Sequence, residues 1–201
     1  MEVLQQFFTG LMNADGNLLL LIQEHVRNPW LTPIMKFITS LGNKGIIWII
    51  IGVILLFPKK TRRAGILSLL ALLSAHLLCN CLLKDYVARV RPFDVVPGLV
   101  CLIQRPTDWS FPSGHTITAF ASATVILRSC KKPIGVPVMI LACLIAFSRL
   151  YVGVHYPSDV FFGAVLGILI GLIFFWIFGE KKYKQKARKK RAQRRRRQKL
   201  R

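Results

Sequence analysis

Five apolar runs, each bounded by polar or basic residues, constrain the fold of this chain more than any other feature. They cover residues 45–57, 64–83, 115–127, 134–148 and 160–178. The longest reach the roughly 20 residues that a helix needs to cross the hydrocarbon core of a bilayer. A single chain in lipid satisfies its backbone hydrogen bonds as helices. We therefore predict an all-α integral membrane helical bundle, and the hydrophobic share of 53% agrees with that class.

The N-terminal region, residues 1–44, does not have the pattern of a clean crossing. Its segment 17–42 carries charges and two prolines, which favours helices that lie in the membrane interface. A sixth span near residues 1–24 is the alternative, so the sequence predicts five or six transmembrane helices. The transmembrane core then covers residues 45–179.

Three basic segments determine the predicted orientation. They are PKKTRR at 58–63, RSCKKP at 128–133, and residues 180–201, which contain 14 Lys or Arg and one Glu. If the spans alternate, all three lie on one side, and loops rich in Lys and Arg face the cytoplasm. The last segment is too charged to fold alone. We expect a disordered cytoplasmic tail that is attracted to anionic lipids, with no nucleic-acid partner.

The opposite, extracytoplasmic side receives residues 84–112 and 149–159, and four helix ends there concentrate charged and titratable side chains. These are three cations, two histidines and one carboxylate: Lys84, Arg91, Arg149, His115, His155 and Asp159. Three cations with few balancing acids are typical of an anion site, and arginine binds phosphate oxygens in a forked geometry.

The segment Pro112-Ser113-Gly114-His115 lies at the start of the third apolar run. Proline is favoured at the first position of a helix. A helix N-terminus offers free backbone N–H groups and the positive end of the helix dipole to an anion. Gly114 has no side chain to keep that anion away from the backbone. Pro157 opens the fifth run in the same way, and the Pro-Ser-Gly-His start is predicted to hold phosphate.

The two histidines indicate the reaction. An imidazole can attack phosphorus and form a covalent phosphohistidine. Asp159 follows His155 by four residues and could fix one tautomer, which leaves the other ring nitrogen free to attack. His115 could protonate the leaving oxygen as a general acid. No cluster of carboxylates is available to hold a catalytic metal, so we expect no metal and no cofactor.

The sequence resembles the type 2 phosphatidic acid phosphatase superfamily, which also contains vanadium haloperoxidases and glucose-6-phosphatases. Its three-part signature is matched by Lys84-x6-Arg91-Pro92, Pro112-Ser113-Gly114-His115 and Ser148-Arg149-x5-His155-x3-Asp159. The resemblance implies His155 as the nucleophile, Asp159 as its partner and His115 as the acid. It implies phosphate binding by Lys84, Arg91, Ser113, Gly114 and Arg149.

The resemblance also implies a small bacterial membrane lipid phosphatase with its active site outside the cytoplasm. Such proteins act on phosphatidic acid, phosphatidylglycerol phosphate or undecaprenyl diphosphate, and the sequence chooses neither among them nor an oligomeric state. The alternative is a catalytically silent protein that binds or transports lipid phosphates. A haloperoxidase would need bound vanadate in a soluble enzyme, which five apolar spans disfavour.

Four polar residues near this signature have separate expected roles. His76 lies in the second apolar run and is expected to form a hydrogen bond between helices. Asp85 and Arg89 are four residues apart and are expected to pair across one helical turn. Tyr151 is expected in the aromatic belt at the membrane surface, with a place at the entry for lipid as the alternative.

Overall fold

The computed structural model describes residues 2–179, with side chains from 13 to 178, so the predicted basic tail at 180–201 lies outside the described residues. Nine α-helices are present within residues 2–179: α1 Glu2–His25, α2 Leu31–Leu41, α3 Ile46–Leu56, α4 Arg62–Leu78, α5 Lys84–Val87, α6 Pro92–Val95, α7 Gly114–Ser129, α8 Lys132–Tyr151 and α9 Pro157–Phe174. A π-helical turn at Cys79–Leu83 joins α4 to α5. The described residues contain no β-strand, which confirms the all-α prediction.

Three helical stretches are long and apolar enough to cross a membrane. They are Arg62–Val95, Lys132–Tyr151 and Pro157–Phe178. A fourth crossing results if the pair Leu31–Leu41 and Asn43–Leu56, bent by 51°, counts as one broken span. Alone, α3 is about 17 Å long, well short of a bilayer core. The described residues are thus all-helical and include several apolar spans, and the count of five or six stays a prediction.

Helix α7 forms the centre of the bundle and packs against α4, α8 and α9. Its small residues allow this, because alanines such as Ala119 and Ala121 are fully buried. On the facing side of α9, a Cβ added to Gly167 would lie 2.5 Å from the carbonyl oxygen of Ile117. Only glycine permits that approach, and such small-residue contacts are the usual means of close helix packing in membranes.

The N-terminal helix α1 is tied to the loops at one end of the bundle. Arg27, just after α1, donates from Nε to the carbonyl of Tyr151 at 2.8 Å and from Nη1 to that of Val100 at 2.7 Å. The Tyr151 hydroxyl accepts a hydrogen bond from the Asn28 backbone N–H at 3.1 Å. Because Tyr151 is fully buried, its predicted place in an aromatic belt is wrong.

The loops that carry the signature residues meet at that same end. The backbone N–H of Leu102 donates to the Val152 carbonyl at 3.0 Å, and that of Ser110 donates to the Arg89 carbonyl at 2.8 Å. The long loop after α6 therefore folds over the ends of α5, α8 and α9, and its residues help to enclose a cavity.

Candidate active site

A cavity of about 920 Å³ opens among these loops, α2 and the ends of α4 and α7. Six of the eight predicted site residues line it: Lys84, Arg91, Gly114, His115, Arg149 and His155. The other two, Ser113 and Asp159, are fully buried just behind its wall. The structure therefore brings the whole predicted set together.

His155 and Asp159 form the pair that their spacing predicts. Nδ1 of His155 lies 3.5 Å from Oδ2 of Asp159, about half an ångström longer than a usual hydrogen bond. Oδ2 also accepts from the Ser110 hydroxyl at 2.5 Å and from the Tyr156 backbone N–H at 3.0 Å, while Oδ1 accepts from Arg89 at 2.6 Å. These donors fix the carboxylate in one orientation, and Nδ1 of His155 has no hydrogen-bond partner among the described residues other than this long contact.

The environment of His155 keeps its imidazole neutral at pH 7. Burial, together with the nearby Arg91 and Arg149, lowers the pKa of His155 to about 4 and outweighs the raising effect of Asp159. Since Nδ1 is turned toward Asp159, Nε2 is the nitrogen left for other chemistry. A neutral imidazole with one unprotonated nitrogen is what a nucleophile requires.

Two of the three cations contact a carboxylate that sequence reasoning missed. Asp108 forms an ion pair with Lys84 and accepts from Nη2 of Arg91 at 2.7 Å. Arg91 also donates from Nε to the Asp108 carbonyl and from Nη1 to the Val154 carbonyl, both at 2.7 Å. Burial alone would raise the pKa of Asp108, but Lys84 and then Arg91 lower it to about 2. The loop position of Asp108 carries no spacing signal that could have identified it.

Arg149 differs from the other two cations because much of its guanidinium is unpaired. Its side chain is 3% exposed, and Nη1 donates to the Thr39 hydroxyl at 2.5 Å. Nε is buried and has no hydrogen-bond partner among the described residues. A buried donor without a partner is costly, and an anion in the cavity that Arg149 lines would satisfy it.

The Pro-Ser-Gly-His segment lies at the start of α7, but its proline is not at the predicted first position of the helix. The helix starts at Gly114 and Ser113 is its N-cap, so Pro112 precedes the helix instead of occupying its first position. A Cβ on Gly114 would have its nearest neighbour, Cys79 Sγ, at 3.7 Å, which leaves this helix start open. Pro157 does open α9, as predicted.

His115 faces the cavity and contacts the bend between α2 and α3. Its Nε2 lies 3.1 Å from Oδ1 of Asn43. A Cβ added to Gly42 would lie 2.5 Å from Cδ2 of His115, so the bend must have glycine there to seat the ring. Neither Gly42 nor Asn43 belongs to the signature. Their contact with His115 depends on the bend between α2 and α3, so the sequence did not predict it.

Two expectations for neighbouring residues are wrong. His76 is not bonded between helices, because Nδ2 of Asn80 in the next turn of the same helical stretch donates to its Nδ1 at 2.9 Å. Arg89 does not pair with Asp85. Helix α5 ends after four residues, and the left-handed conformation of Ala88, with φ of 48°, turns Arg89 away. Arg89 instead binds Asp159 and Asp15, at 2.6 and 2.8 Å.

Charge in the cavity is strongly unbalanced toward cations. The charged side chains that line it are Lys36, Lys44, Lys84, Arg91, Arg105, Arg149 and Asp108. Among the residues that the structure describes, no group of three or more His, Cys, Asp or Glu side chains could hold a metal ion. The lining is therefore suited to an anion with several negative oxygens.

Comparison with known proteins agrees with this geometry. The model of the PAP2 superfamily matches residues 65–183, a range that contains all eight predicted site residues. A phosphatidylglycerophosphatase B from Bacillus subtilis is 35% identical over 80% of this chain and 82% of its own. An undecaprenyl-diphosphatase from Sulfolobus acidocaldarius is 35% identical over 71% of this chain and 68% of its own.

A solved structure extends the likeness to the fold. The crystal structure of a transmembrane PAP2-type phosphatidylglycerolphosphate phosphatase from Bacillus subtilis superposes with a TM-score of 0.67 at 29% identity, covering 88% of this chain and 87% of that one. These likenesses and the apolar helices identify a multi-pass membrane protein. With the signature residues gathered around one cationic cavity, the chain belongs to the PAP2 superfamily.

Proposed function

We propose that this protein is a membrane lipid phosphatase that hydrolyses a phosphate or diphosphate monoester through a phosphohistidine intermediate. The observation that carries the proposal is that buried His155 lies next to Asp159 at a cavity lined by three signature cations. The names of the relatives, a phosphatidylglycerophosphatase and an undecaprenyl-diphosphatase, support lipid phosphates as the substrate class.

In the first step, Nε2 of His155 attacks phosphorus and a P–N bond forms as the P–O bond to the lipid breaks. His115 takes up a proton when the phosphate anion binds beside it and gives that proton to the departing oxygen, so that a lipid alcohol leaves, or a lipid monophosphate when the substrate is a diphosphate. Asp159 stabilises the positive charge that develops on the His155 ring. Lys84, Arg91 and Arg149 bind the equatorial oxygens, with the start of α7 at Ser113 and Gly114.

In the second step, water attacks phosphorus and the P–N bond breaks. The now neutral His115 takes a proton from that water, and His155 leaves as the neutral imidazole it was at the start. Inorganic phosphate is released. The cations supply the charge stabilisation that a metal ion supplies in other phosphatases, so the mechanism uses no metal and no cofactor.

The walls of the cavity suit a lipid as well as a phosphate. Ile49 of α3 and Leu69, Leu72 and Leu73 of α4 line it beside the polar groups. Ile49 and Leu73 are also exposed on the outside of the bundle, where lipid would surround them. When the phosphate headgroup lies at His155, the hydrocarbon chain of the lipid can therefore extend between α3 and α4 into the bilayer.

We place the protein in the cell membrane with this cavity on the extracytoplasmic side and the C-terminus in the cytoplasm. The physical basis is the distribution of Lys and Arg, which favours the cytoplasm for residues 58–63, 128–133 and 180–201. The core then spans residues 45–179 with five or six crossings. Residues 1–44 supply interfacial helices or one additional span.

The test is phosphate release by the purified full-length protein in detergent. Undecaprenyl diphosphate, phosphatidic acid and phosphatidylglycerol phosphate are supplied separately, each with and without excess EDTA. We expect turnover of at least one lipid, unchanged by EDTA. No release from any of the three would refute the phosphatase. Release that EDTA abolishes and magnesium restores would refute the metal-free mechanism.

Asp108→Asn is expected to strengthen phosphate binding. The Asp108 carboxylate occupies donors of Lys84 and Arg91, so it competes with substrate oxygens for them. Removing one half-exposed charge at this distance should lower KM and the inhibition constant of inorganic phosphate by about threefold to tenfold.

The matched control is Asp85→Asn. Asp85 of α5 is an exposed carboxylate, and it does not line the cavity. Its KM should stay at the wild-type value. A raised KM for Asp108→Asn would show that this carboxylate orients the two cations and does not compete for them.

A further inference from the structure

A second buried carboxylate, from the N-terminal helix, is linked to the His155–Asp159 pair through other side chains. Asp15 of α1 is 6% exposed and lies outside the matched family range, 65–183. It is absent from the cavity lining, so it does not contact a substrate there. Its neighbours connect it to Asp159.

Arg89 bridges the two carboxylates. Nη2 lies 2.8 Å from Oδ2 of Asp15, and Nη1 lies 2.6 Å from Oδ1 of Asp159. The guanidinium also lies over the Tyr156 ring, with Cζ 3.8 Å from the ring centre. Ser158 closes the network, because its backbone N–H donates to Oδ1 of Asp15 at 3.1 Å and its hydroxyl donates to Oδ2.

The charges in this network explain why two acids share one arginine. Arg89 facing Asp159 alone would cancel the negative charge that an imidazolium at His155 needs. Asp15 neutralises Arg89, so that Asp15, Arg89 and Asp159 together keep one negative charge. A positive charge on the His155 ring then completes a neutral set.

The other groups around His155 make that remaining charge important. Arg91, Arg149 and His115 line the same cavity as His155, and each of the two arginines opposes a positive imidazole. Asp159 is the carboxylate that faces His155 directly, with Oδ2 3.5 Å from Nδ1. Its effective charge depends on Arg89, which binds its Oδ1.

We propose that Asp15, acting through Arg89, is a positioning residue that holds Asp159 in place and preserves its negative charge for the His155 imidazolium. The inference rests on the proposed phosphatase function. It gives α1 a part in the reaction: the helix supplies the charge that keeps the histidine nucleophilic, without touching the substrate.

The experiment uses full-length protein in detergent and compares Asp15→Asn with wild type. The variant keeps the size of the side chain and loses its charge. We expect kcat to fall about tenfold while KM changes less than twofold, because the lost interaction acts on the reacting imidazole and not on phosphate binding. Removing a negative charge disfavours the imidazolium, so the acidic limb of kcat/KM should move to lower pH. Ionisation of the substrate is the same for both proteins and cancels in the comparison.

Glu24→Gln is the matched control, since Glu24 is an exposed acid on the same helix. It should keep the wild-type kcat and pH profile. A structural anchor role for Asp15 would lower the melting temperature without moving the acidic limb. A folded Asp15→Asn protein with wild-type kcat and an unmoved limb overturns the proposal.

A double-variant comparison tests the route through Arg89. Arg89→Gln leaves two buried carboxylates without their shared cation, and adding Asp15→Asn removes one of them. The double variant should therefore be more active than Arg89→Gln alone, and equal or lower activity contradicts an effect of Asp15 through Arg89.

If Asp15→Asn does not fold, Arg89→Lys tests the proposal in its place, because lysine lacks the forked guanidinium that reaches both acids. A wild-type kcat in that variant overturns the proposal. Wild-type protein inactive on every lipid refutes the phosphatase function itself, which separates the two failures.

Discussion

Replacing His155 with alanine is expected to lower the turnover number for lipid phosphate by about 10⁴-fold or more. The imidazole is the nucleophile in the proposed mechanism, and no other nucleophilic nitrogen lies next to Asp159 in the described structure. His155 lies in the turn between α8 and α9, outside the helical contacts that build the bundle. The variant should therefore still fold, as gel filtration and a melting curve in detergent would show.

Two further measurements make this result specific. Brief incubation with lipid phosphate carrying a radioactive phosphoryl group should label wild-type protein with an acid-labile phosphate and leave His155→Ala unlabelled. The matched control is His25→Ala, because His25 is an exposed histidine outside the cavity, and it should keep full activity. Label or normal turnover in His155→Ala would exclude His155 as the nucleophile.

The positions of the main helices were predictable because lipid restricts the backbone to few choices. The predicted runs 64–83, 134–148 and 160–178 correspond to the three apolar stretches at Arg62–Val95, Lys132–Tyr151 and Pro157–Phe178. The bend between α2 and α3 was not predictable from hydrophobicity. It depends on the left-handed backbone at Lys44 and Gly45, with φ of 52° and 69°, which an apolar-run count does not detect.

The site was predictable to the extent that its residues lie at the ends of helices. His115 and Asp159 lie at the starts of α7 and α9, and Lys84 and Arg149 lie near the ends of two other helical stretches, so alternation of spans brings them together. Asp15 could not be assigned in this way. It is 144 positions from Asp159 along the chain, and only the packing of α1 against the loops brings it to Arg89.

The predicted pairing of Arg89 with Asp85 shows where an inference from local spacing fails. An acid and a base four residues apart pair when both lie on one continuous helix. Helix α5 stops at Val87, so the turn at Ala88 separates Asp85 from Arg89. Arg89 is then available to two buried carboxylates, which attract it more strongly than an exposed one because the local dielectric is low.

Replacing His115 with alanine is expected to slow hydrolysis of lipid phosphates by about 10²-fold to 10⁴-fold, the usual contribution of a general acid. The loss should depend on the leaving group. A lipid alkoxide is a poor leaving group that needs a proton from His115, whereas a nitrophenolate leaves without one. The first step with nitrophenyl phosphate should therefore keep its rate to within about tenfold.

Rapid-mixing experiments separate the two steps of this variant. With nitrophenyl phosphate, His115→Ala should release a burst of nitrophenol and then accumulate phosphohistidine at His155, because the base that activates water in the second step is also lost. His25→Ala, at an exposed histidine outside the cavity, is the matched control and should retain both steps. Equal losses for alkyl and aryl substrates in His115→Ala would instead assign this histidine to phosphate binding, since a binding contact is lost whatever group departs.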